Sequence, residues 1–178
     1  MEVKVKNADK VIKNFIKFAN ANETALVRAM NRANTAGQTA SSRAMRKTWV
    51  GLSAKDLKRY QWSEKAKKGK TSTKFVTTSK SINLLQFGAK WSRQTPTGKR
   101  TKGVSYRLKT QRRTMNGSFI AKGLVFTRKT KKANSLIPHF SITPTSMFIG
   151  AEGDDVYVDT YMDTFDERYF HELNYLMK

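Results

Sequence analysis

From Glu23 to Trp49 the chain runs without a proline, and Leu26, Ala29, Ala33, Ala36, Ala40 and Ala44 recur at steps of three and four. That period marks one face of an α-helix. Side chains this small let another helix or a sheet approach the backbone closely. Arg28, Arg32, Arg43 and Arg46 fall on other faces of the same helix. Gly37 is its weak point, costing about 1 kcal/mol relative to alanine and inviting a kink. Ahead of this helix, Val11, Ile12, Phe15, Ile16 and Ala19 form a second apolar face at 1-4-5-8 spacing, which predicts a shorter helix capped by Asn7 or Asp9. A break is expected at Asn20-Ala21-Asn22. Val3 and Val5, alternating with Lys4 and Lys6, predict a first strand or extended arm.

Gly51 ends the alanine helix, and Ser53-Ala-Lys-Asp56 has the form of a capping box opening a short helix through Leu57 and Tyr60. The texture then changes. Residues 65–74 (KAKKGKTSTK) are basic and small, a solvated turn between strands. The β-branched stretches 74–78, 104–108 and 119–127 predict strands, with Asn116-Gly117 as a hairpin turn between the last two. Residues 94–103 (QTPTGKRTKG) read as a loop. Residues 130–151 hold Pro138 and Pro144 and lack a period, which predicts an extended connector. The last segment returns to helix: Val158, Tyr161, Met162, Phe165, Tyr169, Leu173 and Leu176 share one face, with Asp155, Asp159, Asp163 and Asp166 on the other. Acidic residues in its N-terminal half suit the helix dipole.

The expected fold is α+β: long N-terminal helices packed on one small antiparallel sheet, plus a C-terminal amphipathic helix. One domain over 1–178 is expected, in three parts: helical 1–64, basic and β-rich 65–133, and connector with acidic helix 134–178. The hydrophobic fraction of 38% makes for a small core, while ten Phe, six Tyr and three Trp argue against plain disorder. With no cysteine there is neither a disulfide nor a thiolate metal site. No apolar run approaches the ~20 residues of a membrane span, and the first ten residues lack the apolar stretch of a signal peptide. A soluble protein made in a reducing cytoplasm is expected.

Charge is segregated along the chain. Between Lys65 and Ala151 there is no Asp or Glu, yet there are 20 Lys and Arg, most of the formal net charge of +22. Residues 152–178 reverse the sign, with 8 acidic against 2 basic side chains. A long unneutralised stretch repels itself, so an anionic partner is expected: nucleic acid, the acidic face of another protein, or the acidic tail of a neighbouring copy. The candidate contact residues are Lys99, Arg100 and Lys102 in one loop, with Lys109, Arg112 and Arg113 leading into a hairpin turn. Two further clusters are Lys65, Lys67, Lys68 and Lys70, and Arg128, Lys129, Lys131 and Lys132. Lysine outnumbers arginine, 23 to 12, which favours diffuse contact with phosphates over bidentate reading of bases. Trp62, Phe75, Trp91, Tyr106 and Phe119 are interleaved with these charges, either as stacking platforms for bases or as core packing.

Groups for catalysis are sparse. His139 and His171 are the two histidines, and the middle of the chain has no carboxylate to orient one or to hold magnesium. No phosphate-binding glycine loop occurs. Asp154, Asp155 and Asp159 read as a solvated helix face in preference to a cation site. No enzyme activity, cofactor or metal is expected.

A series of short motifs runs along the chain. It begins in Leu26-Val-Arg28-Ala-Met-Asn-Arg32-Ala33 and Ser42-Arg43. It continues through Leu84-Leu-Gln-Phe87-Gly-Ala89, Lys102-Gly-Val104, Gly117-Ser-Phe119-Ile-Ala121 and Val125-Phe-Thr-Arg128-Lys129, and closes on Arg168-Tyr-Phe-His171-Glu-Leu173. Each piece is a short run of common residues, but by their order and spacing over most of its length the chain resembles the minor tail protein Z family of long-tailed bacteriophages. The connector Pro138-His-Phe-Ser-Ile-Thr-Pro144 departs from the compact segment of the family. The resemblance implies a non-catalytic virion protein, made in the host bacterial cytoplasm, that completes the tail at its head-proximal end and helps join tail to head. It implies tail tube, tail terminator and head connector as partners, a homo-oligomeric ring in the virion, and contact with the DNA end. The alternative from another class is a sequence-nonspecific nucleic-acid-binding protein.

Overall fold

The computed structural model describes residues 8–92, 103–130 and 135–178. The expected arm at Val3–Lys6 and most of the 94–103 loop lie outside them. The chain is α+β. It divides into two compact units that interleave along the sequence: one of residues 8–38, 63–75 and 157–178, the other of 39–62 and 76–156. Among the described residues, no helix is long and apolar enough to cross a membrane.

Helix α1 (Ala8–Thr48) is continuous for 41 residues, about 60 Å. The break expected at Asn20-Ala21-Asn22 does not occur. Asparagine disfavours a helix interior weakly, because its side chain competes for backbone partners. Here the competition is relieved from outside: Ala21 is buried, and Asn22 Oδ1 accepts a 2.7 Å hydrogen bond from the Tyr169 hydroxyl.

In the first unit α1 pairs with α4 (Gly153–Met177). Tyr157 donates to Asn34 Oδ1 at 2.8 Å and Tyr169 to Asn22, so the two helices run antiparallel. Ala25, Ala29 and Ala33 are buried on α1. Opposite stands a stacked ladder of Tyr157, Tyr161, Phe165 and Tyr169, with ring centroids 5.8–6.2 Å apart. Small residues on one helix thus receive rings from the other. Gly37 continues the fit, since a Cβ there would lie 2.8 Å from the Tyr157 ring; its role is close approach, with α1 unbroken through it. The face of α4 differs from the sequence expectation, because Val158 and Met162 are exposed and Tyr157 takes the inward place. Carboxamides tie the basic turn to α1: Asn31 makes both backbone hydrogen bonds of Ala66, at 2.8 and 3.0 Å, and Asn34 donates to Glu64 O.

Packing also perturbs Tyr157, whose pKa is pushed up from 10.0 to about 12, chiefly by burial and then by the neighbouring Tyr161 phenol. The folded state therefore holds the Tyr157 proton more tightly than the unfolded chain does. That stabilisation is complete below pH 10 and is lost as pH rises through about 12. An ultraviolet phenolate titration of the folded protein is expected to show a late phase at about pH 12 from a single phenol. Tyr157→Phe should abolish that late phase, and its persistence would assign the shift to another residue.

The second unit is built on the C-terminal part of α1. Ser53 caps α2 (Ala54–Lys58), its hydroxyl accepting from Asp56 N at 3.1 Å as the capping box predicts. Met45, Trp49, Leu52, Leu57, Ile82, Phe87 and Met147 form the larger buried cluster. Met147 comes from α3 (Pro144–Ile149), and its carbonyl accepts from Trp49 Nε1 at 3.2 Å. A 3-10 helix at Leu84–Phe87 joins this cluster to a second one of Leu84, Ala89, Val104 and Val125.

Among the described residues, three small antiparallel sheets replace the single sheet expected. Strands β1 (Gln61–Glu64) and β2 (Lys74–Thr77) flank the basic turn, as anticipated. A second sheet orders β3 (Lys90–Trp91), β4 (Gly103–Leu108) and β5 (Gln111–Asn116). A third orders β6 (Ser118–Ala121), β7 (Leu124–Arg128) and β8 (Leu136–His139). The expected strand 119–127 is in fact a hairpin, turned at Lys122 and Gly123, both with positive φ. Asn116-Gly117 is not a hairpin: Asn116 pairs back to Gly103 while Ser118 pairs forward to Thr127, so it links two sheets. Ser118 Oγ fastens that link, accepting from Val104 N at 2.9 Å and donating to Met115 O at 2.6 Å. The connector contains β8 and α3. Pro138 is accommodated because β8 is an edge strand, where one side needs no amide donor.

Candidate functional site

Directly opposed residues of antiparallel strands project to the same face of a sheet. Lys90 opposes Ser105, Arg107 opposes Arg112, and Ser105 opposes Thr114. These residues therefore share one face of β3-β4-β5. The opposite face carries Val104, Tyr106, Leu108 and Met115, which pack at the second cluster. Lys90, Arg107 and Arg112 are exposed. A hollow of about 520 Å³ lies between Lys90, Trp91, Ser105 and Arg112. Another of about 360 Å³ shares Lys90 and Arg112 and adds Arg107, Phe87 and Thr110. Trp91, 57% exposed, stands on the edge strand.

Among the described residues, the ion pairs are Arg28–Glu172 at 3.0 Å and Arg59–Asp56 at 3.9 Å. Neither involves this face. Arg107 and Arg112 are directly opposed like charges, an arrangement that destabilises a strand pair by some tenths of a kcal/mol. The face combines cations and hydroxyls, chemistry suited to carboxylates or phosphates, while Trp91, directly opposite Val104, belongs by register to the other face.

Of the residues singled out from sequence, Lys99, Arg100 and Lys102 lie outside the described residues. Lys109 occupies the β4–β5 turn with φ 54, its Nζ 4.9 Å from the centroid of the Trp49 ring. That cation–π contact is worth about 0.5–1 kcal/mol at an exposed site. Arg112 and Arg113 do not lead into a hairpin turn, since Asn116-Gly117 links two sheets. They sit on β5, and strand alternation sends them to opposite faces. Arg112 joins Lys90 and Arg107, whereas Arg113 lines a separate hollow of about 480 Å³ with Trp49, Lys109 and Ile142.

Sequence reasoning missed Lys90 and Arg107, because only the register of the sheet brings them to Arg112. The missed signal was the two-residue turn Lys109-Thr110, which implies 107↔112 pairing once β5 is recognised as a strand. The interleaved aromatics divide. Phe75 stacks on Tyr157 at 5.4 Å and Phe119 on Phe126 at 6.2 Å, and Tyr106 packs at the second cluster. Trp62 and Trp91 are exposed.

Elsewhere, His139 Nε2 lies 2.7 Å from Thr127 Oγ1, and His171 is exposed. Among the described residues, no three His, Asp or Glu side chains converge to hold a metal ion. Comparison with protein-family models, curated proteins and solved structures finds no match for this chain.

Proposed function

We propose that this chain is a structural subunit of a long-tailed phage virion, completing the tail at its head-proximal end and helping to join it to the head. The observation that carries this reading is the N-terminal quarter of α1. Every residue from 10 to 20 is exposed, including Val11, Ile12, Phe15, Ile16 and Phe18. Val11, Phe15 and Phe18 continue, at steps of four and three, the stripe that runs on through Asn22, Ala25 and Ala29. The packed face of the helix thus extends bare for about three turns. Apolar surface of this kind marks a site for another protein, and here its occupant is a neighbouring tail or neck protein. The family resemblance supplies the identity of the assembly.

Deleting the gene from the phage is expected to leave heads and tails that fail to join, with infectivity lost. Complete, infectious, normally joined particles from the deletion would overturn the proposal.

The cationic sheet face favours a second reading, a sequence-nonspecific nucleic-acid-binding protein. The genes beside this one separate the two, because tail and neck genes are expected as neighbours under the first reading alone.

A further inference from the structure

The cationic face of β3-β4-β5 has a complement within the same sequence. We infer that Lys90, Arg107 and Arg112 of one copy dock against the outer face of α4 of a second copy. This deepens the tail-subunit reading, for which the family resemblance implies a ring of copies.

The aromatic ladder fixes which side of α4 faces inward, and Asp155, Asp159, Asp163 and Asp166 are all exposed on the outward side. Their steps of four, four and three make one ridge about 16 Å long. Met162 and Phe170, 52% and 63% exposed, lie along it. From Gly153 to Glu167 the helix has no Lys or Arg. Its carboxylates therefore lack the cations at i±4 that usually compensate such a row. Like charges at that spacing destabilise a helix by about 0.2–0.5 kcal/mol per pair.

The chain thus carries two like-charged arrays of opposite sign, each mildly destabilising where it stands. Among the described residues neither array enters an ion pair. Nucleic acid satisfies the cationic array and leaves the acidic ridge uncompensated, whereas a second copy satisfies both. That difference decides the occupant. Met162 and Phe170 on the ridge give the contact apolar anchors. Repulsion between chains of +22 is screened beyond about 8 Å at physiological salt, while docked side chains meet inside that distance. Because the two patches differ, the contact is heterologous, and its repetition closes a ring or extends a filament.

Two charge reversals test this by sedimentation of purified protein at ~0.15 M salt. In R107E/R112E the sheet face turns net acidic like the ridge, and in D159K/D163K the ridge, which keeps Asp155 and Asp166, loses its net negative charge. Each variant alone is expected to remain monomeric at concentrations where the natural chain associates. A one-to-one mixture of the two should associate again, because each supplies the charge the other lacks. Circular dichroism checks the fold of each. The neutral R107Q/R112Q, which adds no new repulsion, is expected to weaken association about tenfold. A monomeric natural chain at every concentration, a reversal that associates normally, or a mixture that stays monomeric overturns the inference. So does R107E/R112E losing affinity for duplex DNA with self-association unchanged, which would assign the face to nucleic acid. Deletion genetics and sedimentation fail independently, so loss of this contact leaves the tail reading standing on its own test.

Discussion

Replacing Phe87 with alanine is expected to cost ~3–5 kcal/mol of unfolding free energy, measured by chemical denaturation. Phe87 is fully buried among Met45, Trp49, Leu52 and Met147, at the end of the 3-10 helix whose first residue, Leu84, belongs to the other cluster. A cavity at Phe87 therefore loosens the larger cluster and the short element that joins it to the sheets. Domains are typically stable by about 5–15 kcal/mol, so the loss would consume a large share of what holds this unit folded. Trp91→Ala is the control. Its ring is as large but mostly exposed, and its removal should change stability by under ~0.5 kcal/mol. A loss below about 1 kcal/mol at Phe87 would mean that this cluster is not packed as described.

The contrast between those two aromatic residues shows where sequence was informative. Periodicity made the alanine stripe legible, and with it the helical class of the N-terminal part. Alternation of β-branched residues marked β2 and β4. The Ser53–Asp56 cap was legible because its partners are three residues apart. Features fixed by distant partners were not. The run Asn20-Ala21-Asn22 resembles a break until Tyr169, from the far end of the chain, supplies a partner for Asn22. Strand β5 reads QRRTMN, a polar edge strand with little apolar alternation, and its turn places Lys109 in the left-handed region instead of glycine. Losing that strand had a functional consequence. Arg112 and Arg113 looked like one patch because they are adjacent, although adjacency in a strand guarantees opposite faces. Lys90 and Arg107 belonged with Arg112, and only the register of three strands says so.

The double substitution Phe15→Asp, Ile16→Asp is expected to leave the isolated protein as stable as before and to abolish tail completion. Phe15 is 70% exposed and Ile16 is also exposed, so neither contributes much to the fold, and stability should move by under ~0.5 kcal/mol. Burying two such side chains against a partner stabilises a complex by about 1.5–3 kcal/mol each. Their loss weakens docking on the order of a thousandfold, before the cost of desolvating two carboxylates is added. Infectivity of a deletion phage complemented with this variant should accordingly fall at least about a hundredfold, with unjoined heads and tails accumulating. Lys17→Ala tests the opposite face of the same exposed helix. Lys10, Lys13 and Lys17 lie away from the apolar stripe by the 3.6-residue period, and complementation should survive their individual loss. If the double variant melts well below the natural chain, the stripe is covered within the protein. If it complements fully, the bare face of α1 is not where the tail is held, and the structural-subunit reading loses the observation that supports it.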